Sequence, residues 1–323
     1  MKVALLHQGD ETLARTDPII SNALETKEDI IKCLEGLGME YCDIFLDGRL
    51  DFIGKLREER PDIVLNMCSI GEYEPHVAAI LDLMGIPYTG SNYFSLSVTN
   101  NKALSKQIML YHGIRVPKFY IIDGDHSMNF DLMEYPVILK SPLEHDSLHI
   151  SFDSVIYDVG QMRRLWTRIK NGMAYAEQYI DGREITAGFI GNEQGRKILP
   201  IEEIIYGEYY RDKPKILTYE AKWDEDSLEY EQSAPCIPAR ISRDLEERIN
   251  EAVLKISKIF DIRDYGRVDF RVDGGGELYV TDVNANPDIS RKGGLFKMAS
   301  CAGMGYPDFI KGIIDCALER YSK

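Results

Sequence analysis

The residue types best suited to phosphate and metal chemistry are concentrated in the run DYGRVDFRVDGGGELYVTDVNANP, residues 264–287. Arg267, Asp269, Asp282 and Asn284 supply a guanidinium, two carboxylates and an amide oxygen. Such oxygens suit Mg²⁺, which completes its shell with phosphates and water. A neighbouring guanidinium can stabilise negative charge that develops on a reacting oxygen. These residues therefore predict a divalent-cation site that acts on a phosphorylated ligand.

Such a site forms only if the four side chains share one face, and the strand pattern favours this. Two strands joined by a glycine-rich turn at 273–276 are predicted. Side chains alternate between the two faces of a strand, so Asp269 is expected opposite Asp282, with all four polar side chains on one side. The other face is expected to carry Val268, Phe270, Tyr279 and Val283. The simpler alternative is an exposed hairpin face with a surface ion pair, and the apolar back face argues against it.

Three lysines from distant segments could neutralise a triphosphate. Lys140 ends the apolar run Pro136–Leu139 and therefore lies at the mouth of a buried strand. Lys102 opens a predicted helix, and Lys222 lies in the segment YEAKW. Each lysine taken alone is as compatible with a solvated surface position.

The segment AEQYIDGRE, residues 176–184, reads as a strand, a turn and a second strand. Glu177 could accept a hydrogen bond from an adenine amino group, and Glu184 could bind ribose hydroxyls. An ordinary hairpin with exposed acids is the alternative. Neither GxxxxGK[ST] nor GxGxxG occurs between a strand and a helix, so an ATP site must be of another construction.

Net charge, cysteine spacing and the lengths of apolar segments limit the classes of partner and the cellular location that the sequence fits. The net charge of −15 disfavours nucleic acid, whose phosphates require a basic surface. The six cysteines are scattered without zinc or redox spacing, which fits a reduced compartment. No segment approaches the twenty apolar residues of a membrane span, so we expect no membrane association and a cytoplasmic location.

The elements that position these residues fall into two kinds. Strands and helices alternate over the first ninety residues, which predicts an open parallel sheet. Thr26 is the expected N-cap of the first helix, and Ser242 begins a later amphipathic helix. The segments between are strand-rich and suggest α+β structure. Residues 205–235 are polar, rich in tyrosine and without clear period, so a long loop acting as a lid is predicted there.

These segments together resemble the ATP-grasp superfamily, specifically its D-alanine–D-alanine ligase branch. The resemblance covers roughly residues 60–320 and includes GIPYTGSN, NKALSKQIMLYHGIRVP, YPVILK, EQYIDGREIT, TYEAKW, RVDF and DVNANP. It implies an ATP-grasp fold, α/β plus α+β in class, with an N-terminal open parallel-sheet domain. The expected units are 1–95 on the substrate side, a central ATP-grasp subdomain 96–178, and a C-terminal subdomain 179–323 with the metal site and lid.

The resemblance also implies roles for individual residues. Phosphate contacts are expected from Lys102, Lys140, Lys222 and Ser147. Adenine would be held by Glu177 and by the backbone of Gln178–Ile180, and ribose by Glu184. Two Mg²⁺, or Mn²⁺ as a substitute, would be bound by Asp269, Asp282 and Asn284. Arg267 would stabilise the tetrahedral intermediate.

The implied reaction is ATP-dependent joining of a carboxylate to an amine through an acyl phosphate, with amino acids or short peptides as substrates. The segments that bind alanine in the family differ here, including the lid at 141–147 and the stretch 287–294. Ser290, Arg291 and Lys292 could bind an acceptor carboxylate, or could form a solvated basic loop.

The alternative functions are authentic D-alanine–D-alanine ligation and a nucleotide-binding regulatory protein without catalysis. Homodimers are common in such enzymes, and we expect one here.

Overall fold

The computed structural model describes residues 1–8, 17–46, 50–68, 73–122, 130–140, 150–166 and 174–322. The strands are β1 Lys2–His7, β2 Glu40–Phe45, β3 Ile63–Asn66, β4 Phe119–Ile122, β5 Val137–Lys140, β6 Val155–Ile156, β7 Ala174–Gln178, β8 Gly182–Ile190, β9 Lys197–Ile198, β10 Glu202–Tyr206, β11 Ser233–Cys236, β12 Tyr265–Asp273 and β13 Leu278–Asn284. The helices are α1 Pro18–Gly36, α2 Asp51–Glu59, α3 Tyr73–Met84, α4 Tyr93–Thr99, α5 Lys102–Tyr111, α6 Val159–Trp166, α7 Tyr219–Trp223, α8 Leu228–Glu231, α9 Arg243–Ile259, α10 Gly294–Cys301 and α11 Tyr306–Tyr321.

The N-terminal sheet has the order β2–β1–β3, and both pairings are parallel, as predicted. The expected N-cap Thr26 is wrong. Helix α1 begins at Pro18, and Asp17 caps it by accepting from the backbone N–H of Ile19 and Ile20. Thr26 is buried within the helix, where its hydroxyl donates to the carbonyl of Asn22 at 2.6 Å. A threonine that bonds back one turn can stay inside a helix, so its residue type alone misplaced the start.

Two further sheets carry the rest of the described chain. The central sheet has the order β4–β7–β5–β6 and is antiparallel, with Met162 of α6 in its core. The larger sheet runs β11–β10–β8–β12–β13, with β9 paired to β8. Helix α9 is capped by Ser242, as predicted, and buries Leu245, Ile249, Val253 and Ile256 in the core beneath this sheet. The predicted combination of α/β and α+β structure is confirmed.

The predicted unstructured loop at 205–235 is wrong. This stretch contains the end of β10, the short helices α7 and α8, and most of the edge strand β11, which pairs with β10. Thr218 and Ser227 cap the two helices by accepting from the N–H of Ala221 and Tyr230. Helices of five and four residues are too short to show a hydrophobic period, so capping and packing hold them.

Within the described ranges, no helix has the length and apolar character needed to cross a bilayer. All six cysteines lie in these ranges, and each is a free thiol.

Candidate active site

A cleft of about 1020 Å³ is lined by residues from all three sheets. Its wall includes Asn66 at the end of β3, Lys140 and Glu177 of the central sheet, and the polar face of the β12–β13 hairpin. Part of helix α1 and the segment 284–289 close it further. Residues that are far apart in the sequence therefore face one volume, which is large enough for two ligands.

The hairpin register is the predicted one. Arg267 pairs with Asn284, and Asp269 pairs with Asp282. The Arg267 guanidinium donates to both carboxylate oxygens of Asp269, from Nε and Nη2, each at 3.0 Å. Asn284 Nδ2 donates to Asp269 Oδ2 at 3.1 Å, and the Thr186 hydroxyl donates to Oδ1 at 3.2 Å. The polar face is therefore an ordered network on rigid strands.

The expected position of Tyr279 on the apolar back face is wrong. A register shift after Asp269 pairs Phe270 with Val280 and places Tyr279 opposite Arg271. Val280, which is buried, takes the back-face position. The irregularity is a β-bulge at Thr281, which changes the phase of the side-chain alternation. It also leaves the Thr281 carbonyl to accept from Lys106 Nζ.

The three predicted phosphate-binding lysines all line the cleft. Lys102, the first residue of α5, is buried and its Nζ lies 2.8 Å from Asp282 Oδ2. Lys140, at the end of β5, forms an ion pair with Glu177. Lys222, in α7, lines the cleft as well. Lys102 and Lys140 therefore each lie against an acidic partner in the cleft, and their contact with phosphate stays a prediction.

Lys106 is a buried cation beside Glu177 that does not itself line the cleft, and the sequence reasoning missed it. It lies one helical turn after Lys102, so the two lysines share a face of α5. Its side chain is 1% exposed, and its Nζ is 3.3 Å from Glu177 Oε2. Burial lowers the pKa of Lys106, although Glu177 and Asp282 oppose this effect. The signal in the sequence was the spacing of four residues between the two lysines.

Glu177 organises these cations. Lys140 contacts Oε1, while Lys106 and the Tyr175 hydroxyl contact Oε2, the latter at 2.9 Å. Burial alone would raise its pKa, but Lys106 and Lys140 outweigh burial and hold the pKa at about 2. The carboxylate of Glu177 is therefore ionised, and each of its oxygens already contacts a lysine. Its contact with adenine stays a prediction.

The other nucleotide-binding candidates also reach the cleft. Gln178, Ile180 and Glu184 line it, although the Gln178 N–H already donates to the Lys118 carbonyl within the sheet. Glu184 accepts from the buried Arg271 at 2.7 Å and from the Tyr206 hydroxyl. Their roles toward adenine and ribose stay predictions. Ser147 lies outside the described residues, as does the segment 141–147.

The three predicted acceptor-binding residues behave differently from one another. The structure does not bring Ser290 to the cleft, because this residue is buried and its hydroxyl donates to Asp288 at 2.6 Å. Arg291 and Lys292 do line the cleft. Both face acids of helix α1, with Arg291 at 2.9 Å from Asp29 and Lys292 at 3.3 Å from Glu25. Arg291 and Lys292 are therefore each paired with an acidic residue of α1.

Three buried polar atoms on the cleft wall have no hydrogen-bond partner among the described residues: Asn66 Nδ2, Asn286 Nδ2 and Glu202 Oε2. The amide orientations are fixed, because Asn66 Oδ1 accepts from Cys68 N–H and Asn286 Oδ1 from Ser91 N–H. Unpaired buried polar atoms are costly and therefore mark positions for a ligand. The sequence reasoning did not assign Asn66, Asn286 or Glu202 to the site. The run LPIEEI, residues 199–204, does indicate that its two adjacent glutamates lie on opposite faces of a strand.

The donor set fits a hard divalent cation that also contacts a phosphate. In the part of the chain that the structure describes, no three histidine, cysteine or acidic side chains converge as a metal site. The hairpin instead offers two carboxylates on paired strands and an amide, which suits Mg²⁺ bound mostly by phosphate and water. Arg267 and Lys102 balance the charge of these carboxylates in the protein alone.

Comparisons with known proteins agree with this arrangement. The family described as D-ala D-ala ligase C-terminus matches residues 112–315. An uncharacterized protein of Sinorhizobium fredii, y4sG, is 32% identical over 255 residues, which cover 78% of this chain and 72% of the relative. A D-alanine–D-alanine ligase of Pelotomaculum thermopropionicum is 26% identical, with 99% of this chain and 98% of the relative covered.

Solved structures show the same fold. The D-alanine–D-alanine ligase of Bacillus anthracis superposes with a TM-score of 0.80 at 26% identity, covering 99% of this chain and 98% of the other. Its complex with ATP gives a TM-score of 0.79 at 24% identity, with the same coverage. The family match spans well over half of the chain. This protein therefore belongs to the D-alanine–D-alanine ligase family and has the ATP-grasp fold.

Proposed function

We propose that this protein joins an amino acid, through its carboxylate, to the amine of a second amino acid or short peptide. As a member of its family, the chain is an ATP-dependent carboxylate–amine ligase. One observation carries the proposal. The hairpin face with Arg267, Asp269 and Asp282 lines the same cleft as Lys102 and Lys140. Charge-neutralising groups and a group for the reacting oxygen therefore face one volume.

The chemistry that we propose begins with phosphoryl transfer. A carboxylate is a poor electrophile because it is negatively charged, and phosphorylation by ATP converts it into an acyl phosphate with a good leaving group. Lys102, Lys140 and Lys222 would offset the charge of the polyphosphate. Mg²⁺ bound by Asp269, Asp282 and Asn284 would supply further charge neutralisation for the phosphates.

In the second half of the reaction, an amine attacks the activated carbon and phosphate leaves. Arg267 is placed to stabilise the oxyanion of the tetrahedral intermediate, since Asp269 holds its guanidinium through two hydrogen bonds. The buried amide donors of Asn66 and Asn286 are candidates for holding the carboxylate of the first substrate. Helix α7, with Lys222 and Trp223 on the cleft wall, would exclude water from the acyl phosphate.

The experiment that tests this proposal is a screen of D- and L-amino acid pairs for ATP-dependent phosphate release, followed by mass measurement of the product. The proposal requires phosphate release that depends on both substrates and a product lighter than their sum by one water. Phosphate release without any condensation product, for every pair tested, would contradict it.

Authentic D-alanine–D-alanine ligation is the second candidate. Ligases with that name from Pelotomaculum thermopropionicum and Aquifex aeolicus align with 90% or more of this chain. D-alanine as the sole amino acid in the screen decides it. A regulatory protein without catalysis is the third reading, and the intact network of Arg267, Asp269 and Asn284 argues against it.

The remaining assignments are also proposals. The units 1–95, 96–178 and 179–323 each contain one whole sheet, which supports that division. Six free thiols support a reducing, cytoplasmic location. A homodimer stays a prediction, which sedimentation equilibrium would test.

A further inference from the structure

Glu202 stands in a row of polar residues that crosses the large sheet. It pairs with Thr186 of β8, which pairs with Asp269 of β12, which pairs with Asp282 of β13. All four residues line the cleft. Adjacent strands are about 4.8 Å apart, so Glu202 lies about 10 Å along the sheet from Asp269. It therefore stands beside the polar face proposed for the chemistry, on the side away from Asp282.

One carboxylate oxygen of Glu202, Oε2, is buried without a hydrogen-bond partner among the described residues. The residue is 8% exposed, and no donor of the described residues lies within hydrogen-bond distance of Oε2. The next residue, Glu203, points the other way and is satisfied by two hydrogen bonds from Arg183, at 2.6 and 2.7 Å. Burying a carboxylate oxygen without a donor is unfavourable, and Glu203 shows that a glutamate on this strand can be paired. The arrangement of Glu202 is therefore unfavourable for folding alone.

We propose that Glu202 binds the ammonium group of the amine substrate and takes its proton before the amine attacks. This inference rests on the proposed ligase function and names the residue that recognises the acceptor. A carboxylate oxygen without a donor attracts a cation or an N–H group and repels a carboxylate or phosphate. The acceptor ammonium is the substrate group that must lose a proton for the reaction to proceed.

The surroundings of Glu202 support the acceptor rather than the first substrate. Gly294 lies beside it, since a Cβ added there would be at van der Waals distance, 3.5 Å, from both carboxylate oxygens. Gly294 is two residues after Lys292, which with Arg291 is a predicted contact for an acceptor carboxylate. Arg291, Lys292 and Glu202 line the same cleft, so the proposal places the acceptor between this segment and Glu202.

The charged groups facing Glu202 come from three elements. Arg267 and Asp269 lie on β12, Lys297 on α10 and Glu184 on β8. Burial raises the pKa of Glu202, and Arg267 and Lys297 oppose this effect. A carboxylate whose pKa is raised accepts a proton more readily than an exposed one, which suits a general base.

The step balances as follows. Glu202 removes one proton from the ammonium, and the freed electron pair on nitrogen forms the C–N bond to the acyl phosphate carbon. The C–O bond to phosphate then breaks, and the departing phosphate carries off the second nitrogen proton. Glu202 returns its proton to solvent, which restores the carboxylate.

The test compares two nucleophiles in the unaltered protein and in Glu202→Gln. An amino acid acceptor is mostly protonated at neutral pH and needs the base, whereas hydroxylamine is mostly unprotonated and does not. We expect the substitution to lower amide formation by about 100-fold and to leave hydroxamate formation nearly unchanged. The loss of amide formation should shrink as the pH rises towards the pKa of the free amine.

Each outcome is decisive. Equal losses with both nucleophiles, or no loss with either, would overturn the inference. Hydroxamate formation by the unaltered protein shows that the carboxylate is activated, so its absence for every amino acid tested would instead count against the proposed function. Glu203→Gln is the matched control on the same strand, and its ratio of amide to hydroxamate should equal that of the unaltered protein.

Thermal unfolding without substrate gives an independent readout. Glu202→Gln removes the charge from a buried carboxylate that has an oxygen without a donor, so we expect the variant to melt at a temperature at or above that of the unaltered protein. Glu203→Gln breaks an ion pair and should melt lower. A clear loss of stability in Glu202→Gln would mean that the fold already satisfies this carboxylate, which would overturn the inference.

Discussion

Lys102 and Asp282 lie 180 residues apart in the sequence, yet Nζ of the lysine is 2.8 Å from Oδ2 of the aspartate. Lys102 is the first residue of α5, and Asp282 belongs to the polar face of the hairpin. The proposed phosphate-binding group and the proposed metal ligand are thus already in contact in the protein alone. Each offsets the charge of the other in the protein alone.

Replacing Lys102 by Met tests this contact. We expect the KM for ATP to rise roughly 10- to 100-fold, because a charge-assisted hydrogen bond contributes about 1.5–3 kcal/mol. Lys32→Met is the control, because Lys32 is an exposed lysine whose partner lies on its own helix. An unchanged KM for ATP in Lys102→Met would remove the phosphate role.

Asp269→Asn tests the metal assignment. The substitution removes one carboxylate of the proposed pair but keeps the shape of the side chain. We expect turnover to fall at least about 100-fold, since a catalytic cation contributes several kcal/mol of charge stabilisation. Binding of Mn²⁺, followed by its magnetic resonance signal in the presence of ATP, should weaken in parallel.

The control for this substitution lies in the same hairpin. Glu277 is half exposed and pairs with Arg115 at the surface. Glu277→Gln should change the free energy of unfolding by less than about 1 kcal/mol and leave turnover unaltered. Near-normal turnover in Asp269→Asn would refute the metal site.

Lys106 is expected to be structurally important, although it does not line the cleft. Lys106→Met leaves the buried Glu177 with one lysine fewer and the Thr281 carbonyl without its donor. Breaking a buried ion pair on one side costs about 3–5 kcal/mol of unfolding free energy. Urea denaturation measures this cost. Lys118→Met removes an exposed pair with Glu134 and should cost at most about 1 kcal/mol.

The pH dependence of stability should carry the signature of Glu177. Its pKa in the folded protein is about 2, against an ordinary value of 4.5, because Lys106 and Lys140 outweigh the effect of burial. Between these values the unfolded chain binds more protons than the folded one, so stability falls as the pH falls. We expect the stability difference between the unaltered protein and Glu177→Gln to be constant above about pH 4.5 and to shrink towards pH 2. A difference that is already shrinking near pH 7 would contradict this.

The sequence determined the hairpin site almost completely. The alternation of polar and apolar residues over 264–287 placed Asp269 and Asp282 on one face, because a strand has a strict period of two. The register set by the turn pairs Val272 with Leu278, and the bulge at Thr281 then shifts it by one residue and brings Asp269 opposite Asp282. The family resemblance then supplied the fold, which the structural similarity confirms.

The bulge at Thr281 could not be predicted in this way. A bulge adds one residue without leaving a mark in the hydrophobic pattern, so Tyr279 was assigned to the wrong face. The helices α7 and α8 were missed for a similar reason. They form because capping and tertiary packing stabilise segments that are too short to show a period of their own.

Only the tertiary structure decided which charged groups meet. The sequence placed Lys102, Lys140 and Glu177 near strand and helix ends, but not Lys106 under Glu177 or Glu202 unpaired on the cleft wall. Local patterns fix which face of an element a residue occupies. Pairing depends on how sheets far apart in the chain pack together, and burial then decides whether a charge is compensated or left for a ligand.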